Sequence, residues 1–221
     1  MSLNKAIDET SLESRLQRSP MLDGLLLIIS GPSGSGKGTI TKKLLPKDGF
    51  SLSISMTTRE QRKGEVNGID YVFCSEEEFI KTKDEGGLLE HATFCGHYYG
   101  TPISYVENMM QRGSTVVLEI DVVGALQVKE KYKEAILLFL MPPTFAELKK
   151  RLIERGREDI NEIERRFKHA LEEVKMLEKY DYLVINDDIE SAAREIKLIV
   201  NAEHLKPKRS FSKIKHFYDE Y

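Results

Sequence analysis

The 221-residue chain contains no tryptophan, only two cysteines, and no apolar run longer than a strand needs. Each scarcity excludes something. Cys74 and Cys95 lie far apart without metal-ligand spacing, so they read as ordinary thiols suited to a reducing cytosol. Strand-sized apolar runs cannot cross a bilayer as helices. An excess of one charge sign is also missing. Lys and Arg total 33 against 36 Asp and Glu, a net charge of −3, which is no footprint for nucleic acid. The start, Met1 to Asp8, has neither a basic nor an apolar signal region. What remains, 40% hydrophobic and 31% charged residues without low-complexity tracts, describes a soluble, cytoplasmic globular chain. Its length suits one substantial core with room for a small inserted lobe.

Against this background one stretch stands out: Gly31-Pro32-Ser33-Gly34-Ser35-Gly36-Lys37-Gly38-Thr39. It follows the apolar run Leu25–Ile29 and precedes a helix-like segment reaching about Leu45. Strand, glycine-rich loop and helix in that order form a phosphate-binding loop. Glycines let successive backbone N–H groups turn inward, the helix start adds partial positive charge, and Lys37 supplies a full one. The bland alternative, a Gly/Ser-rich surface turn beside an incidental lysine, does not account for the flanking strand and helix. Gly38 stands where the common pattern has a Ser or Thr ligand for Mg²⁺. Thr39 comes one residue later, rotated about 100° around the helix. Mg²⁺ held by phosphate oxygens and waters, with no direct protein ligand, follows from that departure.

In chain order, residues 1 to about 20 read as a flexible extension, with Met21 as the functional beginning; Leu3, Ile7, Leu12 and Leu16 offer at most a weak amphipathic helix. A strand is expected at Ser51–Ser55 and another at Ile69–Phe73 after the Asn67-Gly68 turn. Ser75 with Glu78 forms a capping box for a helix to about Asp84, and Leu88–Phe94 reads as a strand. These short elements suggest an inserted α+β lobe over 54–105 between core segments 21–53 and 106–205. The core then resumes with a helix from Pro102 to about Arg112, strand Thr115–Asp121, helix Val122–Tyr132 and strand Ile136–Leu140. Thr144 with Glu147 caps a helix ending near Arg155-Gly156-Arg157, and a helix spans 161–179. Strand Tyr182–Ile185 and helix Ile189–His204 close it, with a basic tail at 206–221. Alternation of this kind specifies a parallel α/β sheet with helices on both faces.

The phosphate loop, the arginines Arg59 and Arg62, Tyr98-Tyr99-Gly100-Thr101 and Asn186-Asp187-Asp188 together resemble the guanylate kinases, bacterial type, from about Leu25 to Leu205. The resemblance implies a P-loop nucleoside-monophosphate-kinase fold with a GMP-binding lobe and a lid at 156–161. It implies transfer of the γ-phosphoryl group from ATP to GMP, and also to dGMP, with Mg²⁺. By this resemblance Gly31 to Thr39 and Asn186 bind ATP. Lys37, Arg59, Arg151, Arg155 and Arg166 neutralise the transferring phosphoryl group. Arg59, Arg62, Tyr71 and Tyr99 hold the GMP phosphate, and a planar guanidinium fork suits a phosphate dianion. Glu90 accepts from the two adjacent donors of guanine, where adenine would present a lone pair. Ser55 and Thr101 stand near guanine O6, Asp121 contacts guanine or active-site water, and Glu119 reaches Mg²⁺ through water. A homo-oligomer is left open by the resemblance; nucleic acid and membrane are not expected partners.

Plainer readings exist for several of these residues. Arg59 and Arg62 could be a solvated charge run, Arg151 could pair with Glu147 one turn away, and the Asn-Asp-Asp turn needs no ligand. A scaffold-type interaction module is disfavoured by the intact Lys37 loop. A GTP-hydrolysing switch is disfavoured because no Asn/Thr-Lys-x-Asp motif follows.

Overall fold

A computed structural model describes residues 24–45, 49–154 and 160–209. The extension at 1–20, Arg155, Arg157, lid residues 156–159 and the tail from 210 onward lie outside the described residues. In chain order the elements are β1 Leu26–Ser30, α1 Lys37–Leu44, β2 Phe50–Leu52, β3 Met56–Thr57, β4 Val72–Phe73, α2 Glu76–Asp84, β5 Leu88–Phe94 and β6 His97–Pro102. There follow α3 Ile103–Gln111, β7 Thr115–Glu119, α4 Val122–Lys131, β8 Ile136–Met141, α5 Phe145–Glu154, α6 Ile160–Val174, a 3₁₀ turn Leu177–Lys179, β9 Tyr182–Ile185 and α7 Ile189–His204.

Strand β1 lies at the centre of a five-stranded sheet ordered β2-β7-β1-β8-β9, parallel throughout. Its residues are all buried, as a near-continuous apolar run in a parallel sheet should be. Successive side chains alternate between two cores. Leu25, Leu27 and Ile29 meet Ile40 and Leu44 of α1 and Ile196 and Val200 of α7. Leu26 and Ile28 meet Val106 and Met110 of α3 and Ala125 and Val128 of α4. Helices therefore cover both faces, and the carboxyl ends of β1, β7, β8 and β9 open onto one edge, where ligands of such sheets bind.

A second sheet, ordered β4-β3-β6-β5, has its own small core of Met56, Phe79 and Leu88. Phe79 stacks on Tyr98 with ring centroids 5.3 Å apart. Strand β6 forms an antiparallel hairpin with β5, a strand that the reading of Tyr98–Thr101 as a motif had left unassigned.

Two strands, one helix and one capping box differ from expectation. The strand expected at Ser51–Ser55 ends at Leu52; the Ser53 N–H still reaches Val117 O at 2.9 Å, and then the chain leaves for the second sheet. The strand expected at Ile69–Phe73 begins at Val72, because the N–H groups of Ile69 and Asp70 both close a turn onto Val66 O. The turn expected at Asn67-Gly68 forms, with β3 and β4 parallel on either side of it, and Asn67 Oδ1 accepts from the Phe73 N–H at 2.9 Å. The helix expected over 161–179 stops at Val174 before the 3₁₀ turn. Of the two capping boxes, Ser75–Glu78 is complete. At Thr144 only the backbone half forms, because the Glu147 carboxylate is taken by Arg151.

Candidate active site

The phosphate loop joins the end of β1 to α1. Gly31, Gly34 and Gly36 have φ of 138°, 91° and 94°, left-handed values that disfavour any other residue. Crowding adds to this. A Cβ on Gly31 would stand 2.2 Å from Leu140 O, and one on Gly36 would stand 2.3 Å from Asn186 Nδ2. The Lys37 ammonium folds back across the loop and donates to Gly31 O at 2.6 Å and Pro32 O at 3.2 Å.

Two cavities flank the loop. One, of about 340 Å³, is lined by Gly31, Ser33, Gly34, Gly36, Lys37 and Gly38, by Glu119, Ile120 and Asp121 at the end of β7, and by His169 and Glu173 of α6. The other, of about 410 Å³, is lined by Gly34, Gly36, Thr39, Arg151, Glu154, Asn186, Asp187 and Ile189. Gly38 therefore faces the first cavity and Thr39 the second, as one step around a helix dictates. A Cβ on Gly38 would lie 3.5 Å from both oxygens of Glu119. Among the described residues no group of three or more His, Cys, Asp or Glu could cage a metal ion. A bare helix start with one carboxylate above it fits a Mg²⁺ ion that keeps most of its ligands as phosphate oxygens and water.

Asn186 ties the far end of the chain to the loop. It is buried, its Nδ2 donates to Ser35 O at 2.8 Å, and its Oδ1 is buried without a hydrogen bond. Arg151 reaches over the same turn, donating from Nε to Glu147 Oε1 at 2.9 Å and from a terminal nitrogen to Asn186 O at 3.1 Å. The i,i+4 pair with Glu147 thus exists, and it holds Arg151 on the cavity wall. Ser35 is fully buried beneath the loop and Pro32 beside it. Arg166 lies on α6, half-buried, three residues before His169. Arg155 lies outside the described residues.

The second cluster sits on and beside the small sheet. Arg59 donates to both carboxylate oxygens of Glu65, at 2.8 and 3.0 Å, and its guanidinium carbon lies 5.5 Å from the Tyr71 ring centroid and 5.6 Å from that of Phe73. The hydrogen bond that Arg59 donates to Glu65 raises the Arg59 pKa further, and the same bond holds Glu65 below the usual carboxylate range. Tyr71 and Tyr99 meet edge to face at 6.0 Å; burial, then the neighbouring Tyr99, pushes the Tyr71 phenol up. The Arg62 backbone N–H donates to Glu65 at 2.8 Å, and its side chain is exposed. Ser55 is half-buried between β2 and β3, its carbonyl accepting from the Val72 N–H.

Deeper in the same lobe, Glu90 of β5 is 6% exposed, and its Oε1 accepts from Thr101 Oγ1 of β6 at 2.7 Å. Its second oxygen lies 3.5 Å from where a Cβ on Gly124 would stand, beside Asp121 Oδ1 at 3.3 Å from the same point. Asp121 caps α4 through the Gly124 N–H at 2.8 Å. Burial pushes the Glu90 carboxyl up, the Thr101 hydrogen bond opposes this, and the Asp121 charge adds to it. The result is a buried carboxylate with one oxygen anchored and the other turned toward Asp121 and Gly124.

A phosphate loop beside a small sheet that carries an arginine–tyrosine cluster and a buried carboxylate can be compared with known proteins as a whole. The family model for guanylate kinase matches residues 24–203. The chain belongs to the guanylate kinase family. It is 46% identical over 198 residues to a guanylate kinase of Oceanobacillus iheyensis, covering 89% of this chain and 96% of that one. It is 49% identical over 188 residues to a guanylate kinase of Bacillus subtilis, covering 84% and 92%. The crystal structure of guanylate kinase from Anaplasma phagocytophilum superposes with a TM-score of 0.66 at 35% identity, covering 84% of this chain and 89% of that chain. The family's P-loop fold, with a parallel sheet flanked by helices, is the one described above.

Other residues of the two clusters escaped the sequence reading. Phe73 and Glu65 frame Arg59, while His169 and Glu173 line the phosphate cavity. A signal for the last two existed. They follow Arg166 by three and seven residues, so all three share one helix face.

Proposed function

We propose that this chain transfers the γ-phosphoryl group of ATP to GMP, giving ADP and GDP, and that dGMP serves as a second acceptor. The observation that carries the reading is Glu90: a carboxylate buried at a cost, with Thr101 holding one oxygen and the other facing Asp121. Guanine offers N1–H and its exocyclic amine side by side, and a carboxylate accepts both. Ser55 and Thr101 complete the edge near O6. Arg59, Arg62, Tyr71 and Tyr99 hold the acceptor phosphate, which displaces or shares the Arg59–Glu65 pair. Gly31 to Thr39 wrap the ATP phosphates, and Asn186 with Arg151 closes the adenine side.

The acceptor is an ionised phosphate oxygen, so no general base is needed. Its oxygen forms a bond to the γ-phosphorus while the bond to the β,γ-bridging oxygen breaks, and the electron pair leaves with ADP. Lys37, Arg59, Arg151, Arg155 and Arg166 neutralise the charge on the transferring group, so catalysis is positioning and electrostatics. Glu119 would hold Mg²⁺ through water, and the ion would supply further charge neutralisation on the phosphate oxygens. Closure of the lobe at 54–105 excludes water.

A coupled ADP-release assay across GMP, dGMP, AMP, UMP and CMP tests the assignment. GMP should dominate, and AMP turnover equal to that of GMP would sink it.

A further inference from the structure

Helix α6 packs one face on α5, through Ala170, Ile163 and Phe167 against Leu148 and Leu152. His169 and Glu173 leave that core and line the phosphate cavity opposite the glycine-rich loop. Their exposures differ sharply. The Glu173 side chain is 9% exposed and that of His169 is 71% exposed, with His169 Nδ1 at 3.5 Å from Glu173 Oε2. A buried carboxylate on an exposed ring is an orienting arrangement. It directs Nδ1 inward and leaves Nε2 for whatever occupies the cavity.

Packing gives no reason for a carboxylate at that depth. Burial raises the Glu173 pKa, and the positive charges of His169 and then Lys37 work against that rise, with Asp121 adding to it. Facing this pair from the other elements are Lys37 on α1 and Glu119 and Asp121 at the end of β7. Three carboxylates thus line, beside Lys37, a cavity that is to accept a polyanion, and a ring N–H turned toward it favours binding.

We propose that His169 contacts the terminal phosphates of ATP through Nε2, opposite Lys37, and that Glu173 is the positioning residue that holds its ring. This rests on the reading of the cavity as the ATP phosphate site.

The test measures affinity for β,γ-imido-ATP by calorimetry, and kcat and KM for ATP and GMP. The proteins are the full chain and its variants His169→Ala, His169→Lys and Glu173→Gln. His169→Ala should bind the analogue about 3–10-fold more weakly than the parent, as loss of one phosphate contact does. His169→Lys, a change at an exposed position, should keep the parent's affinity. Glu173→Gln should weaken analogue binding in the same direction as His169→Ala, with the melting temperature confirming the fold. KM for GMP should stay constant in all three. Equal analogue affinity for the parent and His169→Ala overturns the proposal. Parent-like affinity in Glu173→Gln overturns the positioning role. Tight analogue binding without GMP turnover would remove the proposed function and leave this proposal to be judged on the calorimetry alone.

Discussion

The two ends of the candidate site are made of different material. On the donor side the loop is mostly backbone: three glycines in left-handed geometry, and a lysine parked on the loop's own carbonyls. On the side proposed for the acceptor the candidate groups are side chains, brought from β5, β6, the turn after β3 and the N-terminus of α4. A backbone cradle recognises phosphate whatever nucleoside carries it. A set of side chains can discriminate one base from another, because its donors and acceptors are chosen one by one. General affinity and selectivity are thereby physically separated.

The strongest challenge to that separation is Lys37→Ala. Removing the cation of the loop should lower kcat by on the order of 10²-fold or more, measured by steady-state kinetics on a variant of unchanged melting temperature. Near-normal turnover would mean that the loop does not hold the transferring phosphate. Next comes Glu90→Gln, which replaces one acceptor oxygen by an NH₂ group. It should cost roughly 2–4 kcal/mol in kcat/KM for GMP, leave ATP affinity unchanged and improve AMP relative to GMP. Equal losses for both nucleotides would make Glu90 structural and dissolve the contrast.

Smaller effects sharpen it. Glu65→Ala frees Arg59 from its bidentate partner beneath the acceptor phosphate. KM for GMP should rise by about 3–10-fold, as loss of an orienting charge-assisted bond does, with kcat within about twofold; a lower KM would show that Glu65 only competes with the substrate. The smallest is a stability change. Burial raises the Glu90 pKa, so the folded state binds the Glu90 proton more tightly than the unfolded state does. Its contribution is fully present below the ordinary glutamate range and is lost as pH rises through the raised folded value. At neutral pH without nucleotide, Glu90→Gln should therefore melt a few degrees higher than the parent at most, and this gain should vanish under acid conditions. A melting curve in each buffer decides it.

The same division governs what could be read from sequence. The donor loop is contiguous, and glycine spacing with one lysine is enough to find it. The five-stranded sheet was legible too, since apolar runs such as Leu26–Ile29 and Ile136–Leu140 are strands by length and composition. The small sheet was harder. Strands β3 and β4 have two residues each, too short for alternation to register, and a parallel pairing across Asn67-Gly68 contradicts the usual hairpin meaning of that dipeptide. Acceptor residues such as Arg59, Glu90 and Thr101 are scattered, so they were found by family resemblance and not by spacing. His169 and Glu173 belong to neither class. They are ordinary helix-surface residues until the fold places α6 against the loop.

The parallel sheet also has a consequence for how the chain is made. Leu26 of β1 pairs with Val116 and Leu27 with Ile136, so this buried central strand has no sheet partner until on the order of 100 further residues have been synthesised. At translation rates of about 5–20 residues per second that is roughly 5–20 s. During this time the hairpin of β5 and β6, whose pairings are local, can form first. Asn186, which fastens Ser35 from the other end of the chain, arrives later still. The nascent protein can therefore assemble part of its small sheet before its five-stranded one, and it carries an unpaired Leu-Leu-Ile-Ile segment in the interval.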